Sequence, residues 1–306
     1  MSVAFRTLKD LPKEELLAPG HRLCAGCTVG TTIRQILKAA GKNTVVVSST
    51  GCVEVATSYF PQSAWRVPWT HVAFENAASV ASGIQHGMAA LFRKKKTDEK
   101  VNIIALGGDG GTFDIGIQAL SGAFERGEDF VYVCYDNEAY MNTGVQRSSA
   151  TPYAAATTTT PPGKLSPGQN REKKDMMAIA VAHGIQYAAT ACPSYPYDLM
   201  NKTRRALDVN GPAFLHVLTP CPTGWRFDVN AGIEMGKLAV LTGLWPLYEV
   251  VDGKMRLTVQ VPRREPVKKY LQTQGRFRHL KDEDVAKMQE KVDATAAKFG
   301  FGPLRQ

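Results

Sequence analysis

Asp109 sits in a glycine turn, Gly107-Gly108-Asp109-Gly110-Gly111, directly after a hydrophobic run from Val101 to Leu106. Asn137 follows a second such run, Phe130 to Tyr135, within Asp136-Asn137-Glu138. A carboxylate and an amide oxygen are hard donors of the kind Mg2+ prefers. A turn of glycines leaves backbone N–H groups free and lets a phosphate approach closely. Together these groups suit a magnesium ion bridging a diphosphate. In a chain with 27 glycines a bare Gly-Asp-Gly is more often an ordinary turn, so the weight falls on Asn137. Between Gly110 and Asn137 lie 26 residues, room for one crossover helix between parallel strands. Both side chains are then expected at the carboxyl ends of neighbouring strands, the edge where open α/β sheets bind ligands.

A second constellation is made of sulfur. Six cysteines occur: Cys24, Cys27, Cys52, Cys134, Cys192 and Cys221. Cys24-Ala-Gly-Cys27 precedes a helical pattern, Cys52 follows the strand-like run 44–49, and Cys221 follows the run 213–218. In a parallel sheet, Cys52 and Cys221 share the ligand edge with Asp109 and Asn137. Four thiolates from one CxxC loop and two strand-end turns could enclose a [4Fe–4S] cluster. Spacing alone leans slightly to a structural zinc site, which makes the same ligand demand. A redox pair at Cys24 and Cys27 needs only the CxxC, and scattered free thiols are the plainest reading of any single cysteine. Cys134 and Cys192 lie in strand-like surroundings and read as core packing.

The spacing from Gly-Asp-Gly to Asn137 resembles the diphosphate motif of thiamine-diphosphate enzymes. The run 135–152, YDNEAYMNTGVQRSSATP, and the run 70–84, THVAFENAASVASGI, are similar to the β subunit of pyruvate and related 2-oxoacid:ferredoxin oxidoreductases. The resemblance extends from Gly20 to about Leu280. It implies a cluster on Cys24, Cys27, Cys52 and Cys221, and so reverses the lean towards zinc. It implies magnesium on Asp109, Asn137 and the Ala139 carbonyl, with Gly108, Gly110, Gly111 and Thr112 around the diphosphate. Asn142 corresponds to a residue beside the substrate, with Thr143 and Gly144 shaping the same turn. The activity implied is oxidative decarboxylation of a 2-oxoacid on thiamine diphosphate, pyruvate first. Oxalate, phenylglyoxylate and branched-chain 2-oxoacids are alternatives. Electrons would pass through the cluster to ferredoxin, usually with coenzyme A capturing the acyl group. Partners implied are an α subunit that completes the active site, and γ and δ subunits of ferredoxin type. A non-redox thiamine enzyme with structural zinc on the four cysteines is the remaining rival.

These residues need a frame. At 306 residues, with 44% hydrophobic and 21% charged residues, the chain is long enough for a sizeable core. Strand and helix patterns alternate, predicting a doubly wound, mostly parallel α/β sheet of the thiamine-diphosphate-binding fold with a C-terminal extension. Expected divisions are an arm over 1–20, a cofactor domain over 21–247 and an extension over 248–306 that contacts partner subunits. Helices are predicted over 29–40, 77–92, 176–183, 197–208 and 282–299. Residues 248–257 read as a hairpin, with Asp252-Gly253 at its turn. The stretch from Arg263 to Leu280 reads as extended. Residues 148–175, rich in Thr, Pro and Gly, have the composition of a linker; the resemblance implies an ordered loop over the active site. Glu75 and Asn76 read as helix-start residues. The net charge of +9 is dispersed without a nucleic-acid signature. No apolar stretch reaches membrane-span length. The start of the chain lacks a signal-peptide pattern, so a cytoplasmic location is expected.

Overall fold

The computed structural model describes residues 4–305. The first three residues of the expected arm and the last residue of the expected extension lie outside them. The strands are β1 (Thr44–Ser49), β2 (Trp69–Val72), β3 (Asn102–Gly108), β4 (Val131–Asp136), β5 (Tyr187–Ala191), β6 (Ala213–Leu218), β7 (Tyr248–Val251) and β8 (Lys254–Leu257). They form one sheet in the order β2-β1-β3-β4-β6-β5-β7-β8. The first six run parallel, and the hairpin β7–β8 joins antiparallel beside β5.

The helices are α1 (Thr28–Ala40), α2 (Cys52–Thr57), α3 (Ala77–Arg93), α4 (Ile117–Glu125), α5 (Met176–Ala182), α6 (Pro196–Asp208), α7 (Pro222–Trp225), α8 (Gly232–Thr242), α9 (Val267–Gln272) and α10 (Asp282–Lys298). Alternation along the central strands explains the layering. Val46, Ile104, Val131 and Val133 pack on one face with Ile33, Ile36 and Leu37 of α1 and Leu199 of α6. Val47, Ala105, Tyr132 and Cys134 point to the other face, against Ala78 and Ala81 of α3, Leu120 of α4 and Met177 of α5. With both faces covered, a strand such as β4 is buried at every residue. Each large apolar side chain so buried contributes about 1.5–3 kcal/mol.

A third core joins α8, α9 and α10 through Val240, Leu271, Met288 and Val292. Here one expectation is corrected. The stretch from Arg263 to Leu280 is not extended: it contains α9 and a 3-10 turn, Gly275–Phe277. Val267, Tyr270 and Leu271 recur at helical spacing and are buried, a period that outweighs the basic residues between them. The helices expected over 29–40, 77–92, 176–183, 197–208 and 282–299 are present within a residue or two, as is the hairpin. Cys134 and Cys192 are fully buried core residues. Among the described residues no helix is long and apolar enough to cross a membrane.

Candidate functional site: a glycine turn, a metal-like oxygen cluster and four thiols

Parallel pairing sets Gly108 of β3 beside Tyr135 of β4, so Asp109 and the Asp136–Asn137 pair emerge together at the carboxyl edge. Beyond Asp109 the chain enters a single wide π-type turn, Gly110–Ile115, before α4. The glycines there are sterically required. A Cβ on Gly110 would lie 2.3 Å from the Tyr140 ring, and one on Gly111 would lie 3.1 Å from the Phe74 carbonyl oxygen. Tyr140 stacks on Phe74 with centroids 5.6 Å apart, forming one wall of a small pocket. Its lining includes Gly108, Asp109, Asn137, Ala139, Asn142 and Thr143.

Asp109 is buried, and Ser148 Oγ donates to its Oδ2 at 2.5 Å. Burial, and then the charge of Asp136, push the Asp109 carboxyl well above the ordinary carboxylate range. A divalent cation would reverse that cost by pairing with the ionised form. The Asn137 amide places one terminal atom 2.9 Å from the Ala139 carbonyl oxygen and 3.0 Å from Asp109 Oδ1. With nitrogen in that place the amide donates to both acceptors; with oxygen there, three oxygens converge without a proton between them. Mg2+ holds its oxygens at about 2.0–2.1 Å, which sets adjacent octahedral ligands about 2.9 Å apart. The two separations match those of adjacent ligands in such a site.

Behind this cluster lies a buried ionic network. Lys173 Nζ reaches Asp136 Oδ2 at 2.6 Å and Glu138 Oε1 at 2.9 Å, while Arg276 donates to Glu138 Oε2 at 2.6 Å. His216 Nε2 meets Asp136 Oδ2 at 2.7 Å. Glu138 adopts a left-handed backbone, φ +68°, an uncommon state that these partners hold in place. Its conformation turns the flanking Asn137 side chain and Ala139 carbonyl towards Asp109. Two of these tethers, Ser148 and Lys173, come from the stretch 148–175, which is ordered although it carries no helix or strand.

The sulfur side stands beside it. Cys27 immediately precedes α1, Cys52 opens α2, and Cys221 caps α7, its sulfur accepting from Gly224 N at 3.3 Å. Cys24 is exposed and the other three are half-buried. Cys24, Cys27 and Cys221 act electrostatically on others of the set. Cys27 is pushed up to about 11 by burial, then by Cys221 and Cys24; Cys52 is pushed up to about 12 by burial, then by Cys221, Cys27 and Cys24. Among the described residues, no three His, Cys, Asp or Glu side chains converge as a single-ion site.

The structure therefore gathers the expected residues along one edge, with three qualifications. Thr112 spends its hydroxyl proton on the Gly108 carbonyl at 2.7 Å, inside the turn. Thr143 donates to Gln146 Oε1 at 2.5 Å on the exposed side of its turn, and Gly144 stands outside the pocket wall with φ +121°. Asn142 is exposed at the pocket rim. Ser148, Lys173, Arg276 and Tyr135 were not anticipated from the sequence. Lys173 lies in Arg171-Glu172-Lys173-Lys174-Asp175, which reads as a solvated charge run.

Residues 49–217 match the family model described as the C-terminal TPP-binding domain of thiamine pyrophosphate enzymes. The PorB subunit of pyruvate synthase from Methanocaldococcus jannaschii is 55% identical over 294 residues, 95% of this chain and 99% of that protein. The chain belongs to the family of 2-oxoacid:ferredoxin oxidoreductase β subunits. Another member, the ketoisovalerate oxidoreductase subunit VorB of Pyrococcus horikoshii, is 44% identical over 92% of this chain and 91% of its own. The fold is also that of a solved family structure, the 2-oxoglutarate:ferredoxin oxidoreductase from Magnetococcus marinus. That chain matches with a TM-score of 0.57 at 18% identity, over 74% of this chain and 81% of its own. The Gly-Asp-Gly turn and Asn137 both fall inside the thiamine domain, whereas Cys24, Cys27 and Cys221 fall outside it.

Proposed function

We propose that this chain is the cofactor-anchoring subunit of a pyruvate:ferredoxin oxidoreductase, with Mg2+ on Asp109, Asn137 and the Ala139 carbonyl. The convergence of those three oxygens at 2.9 and 3.0 Å carries the reading. Thiamine diphosphate, when bound, supplies the nucleophilic carbon and electron sink for decarboxylation of the 2-oxoacid. The residues of this chain hold and orient. Gly108, Gly110 and Gly111 admit the diphosphate, Thr112 and Gly144 shape the turns that flank it, and Thr143 joins Asn142 at the rim. Ser148 fixes the Asp109 oxygen that does not face Asn137. Asn142 is the side chain assigned to orient the substrate carbonyl.

Cys24, Cys27, Cys52 and Cys221 are assigned as the residues that would hold one [4Fe–4S] cluster, which would supply single-electron transfer towards ferredoxin. Cys27 and Cys221 immediately precede α1 and α7, Cys52 opens α2, and the Gly224 N–H already donates to the Cys221 sulfur. Pyruvate is placed ahead of a branched-chain 2-oxoacid because the PorB relative is the more similar of the two. An α subunit would complete the active site, γ and δ subunits would carry electrons onward, and coenzyme A would take the acyl group. Residues 21–247 form the proposed cofactor unit, with the arm 1–20 and the extension 248–306 meeting partners. Leu165, wholly exposed in the loop 148–175, supports a partner contact there.

The test is anaerobic purification of the native complex, with iron, sulfide, zinc and thiamine analysis and a pyruvate-dependent ferredoxin reduction assay. Four irons and four sulfides assignable to this subunit, with thiamine diphosphate, are expected. Zinc on the cysteines would leave a non-redox thiamine subunit and overturn the electron-transfer assignment.

A further inference from the structure

Near the end of β4, Tyr135 carries a phenol that nothing among the described residues satisfies. The side chain is 2% exposed, and its oxygen has no hydrogen-bond partner among the described residues. A Cβ on Gly51, the residue before Cys52, would lie 2.8 Å from that oxygen. A Cβ on Gly108, the residue before Asp109, would lie 3.3 Å from the ring edge and 3.5 Å from the oxygen. The ring thus stands in a pocket that Cys52 and Asp109 both line, with its hydroxyl nearer the Gly51–Cys52 turn.

Electrostatics rank the neighbours the same way. Burial raises the phenol well above its ordinary range, the Cys52 thiol acts on it next most strongly, and Asp109 acts more weakly. The Val53 N–H, in the first turn of α2, acts on the phenol oxygen from the backbone without closing a hydrogen bond to it. The hydroxyl therefore lacks an acceptor for its proton. Buried hydroxyls are rarely left so.

We propose that Tyr135 is a positioning residue of the electron-transfer centre: its hydroxyl donates to the sulfur that Cys52 contributes and stabilises the reduced cluster. The inference rests on the assignment of the four cysteines to a [4Fe–4S] cluster. Reduction adds one electron to the cluster and so charge to its sulfurs, and a donor aimed at sulfur raises the reduction potential.

Tyr135→Phe removes one oxygen that has no protein partner and leaves the ring, so packing is preserved. The experiment compares the wild-type and Tyr135→Phe complexes by iron and sulfide content, by redox titration followed by electron paramagnetic resonance, and by thiamine diphosphate affinity. Expected are unchanged iron, unchanged thiamine diphosphate affinity, and a tenfold less favourable reduction of this cluster. For a one-electron couple that is a fall of about 59 mV. Iron present with an unmoved potential overturns the proposal alone. An unmoved potential with weakened thiamine diphosphate binding overturns it too, and assigns the phenol to the diphosphate. Absence of iron from the wild-type chain overturns the cluster assignment and this proposal with it.

Discussion

The hydroxyl of Thr28 donates to the carbonyl oxygen of Pro220 at 3.0 Å, 192 residues away along the chain. Thr28 follows Cys27 and Pro220 precedes Cys221, so one buried hydrogen bond joins the two cysteine loops. Thr28→Val keeps the shape but leaves the Pro220 carbonyl unpaired, a loss of about 1–3 kcal/mol. The expected outcome is lower iron content per chain with thiamine diphosphate binding unchanged, measured on the same anaerobic preparation.

Asp109→Asn should separate the two centres in the opposite sense. Replacing one carboxylate in the oxygen cluster removes the charge that a divalent cation needs. Magnesium-dependent binding of thiamine diphosphate should weaken by more than about 100-fold, beyond the 10–100-fold usual for residues that only support a metal ligand. Iron and sulfide should persist. Cofactor binding that survives at wild-type strength would remove Asp109 from the anchor.

Gly26 is the residue whose backbone is most constrained in the CxxC loop. Its φ is +72°, and an added Cβ would lie 2.0 Å from the Val229 carbonyl oxygen, which is backbone and cannot rotate away. Gly26→Ala should therefore displace the Cys24–Cys27 turn and abolish iron incorporation. Gly20→Ala, where an added Cβ meets nothing within 4 Å, serves as the control for positive φ alone.

Arg276 is 3% exposed and ties the C-terminal part of the chain to Glu138. Truncation of one partner in a buried pair costs about 3–5 kcal/mol, and Lys173 remains to hold part of the Glu138 charge. Arg276→Ala should lower the thermal midpoint by several degrees and weaken magnesium-dependent thiamine diphosphate binding about tenfold. A melting shift without any change in that affinity would mean that Glu138 holds the loop unaided.

The Arg34 guanidinium, and then the Lys38 ammonium, hold the Glu15 carboxyl down to about 2, against an ordinary 4.5. A depressed carboxylate stabilises the fold above its unfolded value and loses that contribution as pH falls towards the folded one. Loosening of the segment around Glu15 from α1 is therefore expected between about pH 4.5 and about pH 2. The protection of the amides at residues 13–18, relative to the intrinsic exchange rate, should fall in that window. Glu15→Gln should show the lower protection already at pH 7.

Much of the fold was legible because the strands announce themselves. The run VYVCYD in β4 has no polar alternation, which is what a strand covered on both faces requires, and the Gly-Asp-Gly turn marks where it meets its neighbour. The placement of Asp109, Asn137, Cys52 and Cys221 at one edge was legible for the same reason: each follows closely on a strand of the parallel sheet. Ser148 and Lys173 were not, because their partners Asp109 and Asp136 lie 39 and 37 residues away, and only the folded loop brings them there. The helix α9 was hidden by Lys268 and Lys269, which stand between its buried positions. Tyr135 could be placed in the core from its strand, but the void in its hydrogen bonding exists only in three dimensions.

The loop 148–175 has both ends pinned to buried carboxylates, Ser148 on Asp109 and Lys173 on Asp136, while Leu165 near its middle is wholly exposed. A segment fastened at its feet and free at its crown can change in length and composition at little risk to what lies beneath. Specialisation towards a different 2-oxoacid or a different neighbouring subunit can then be written into the crown, while the chemistry common to all such substrates stays locked between the feet.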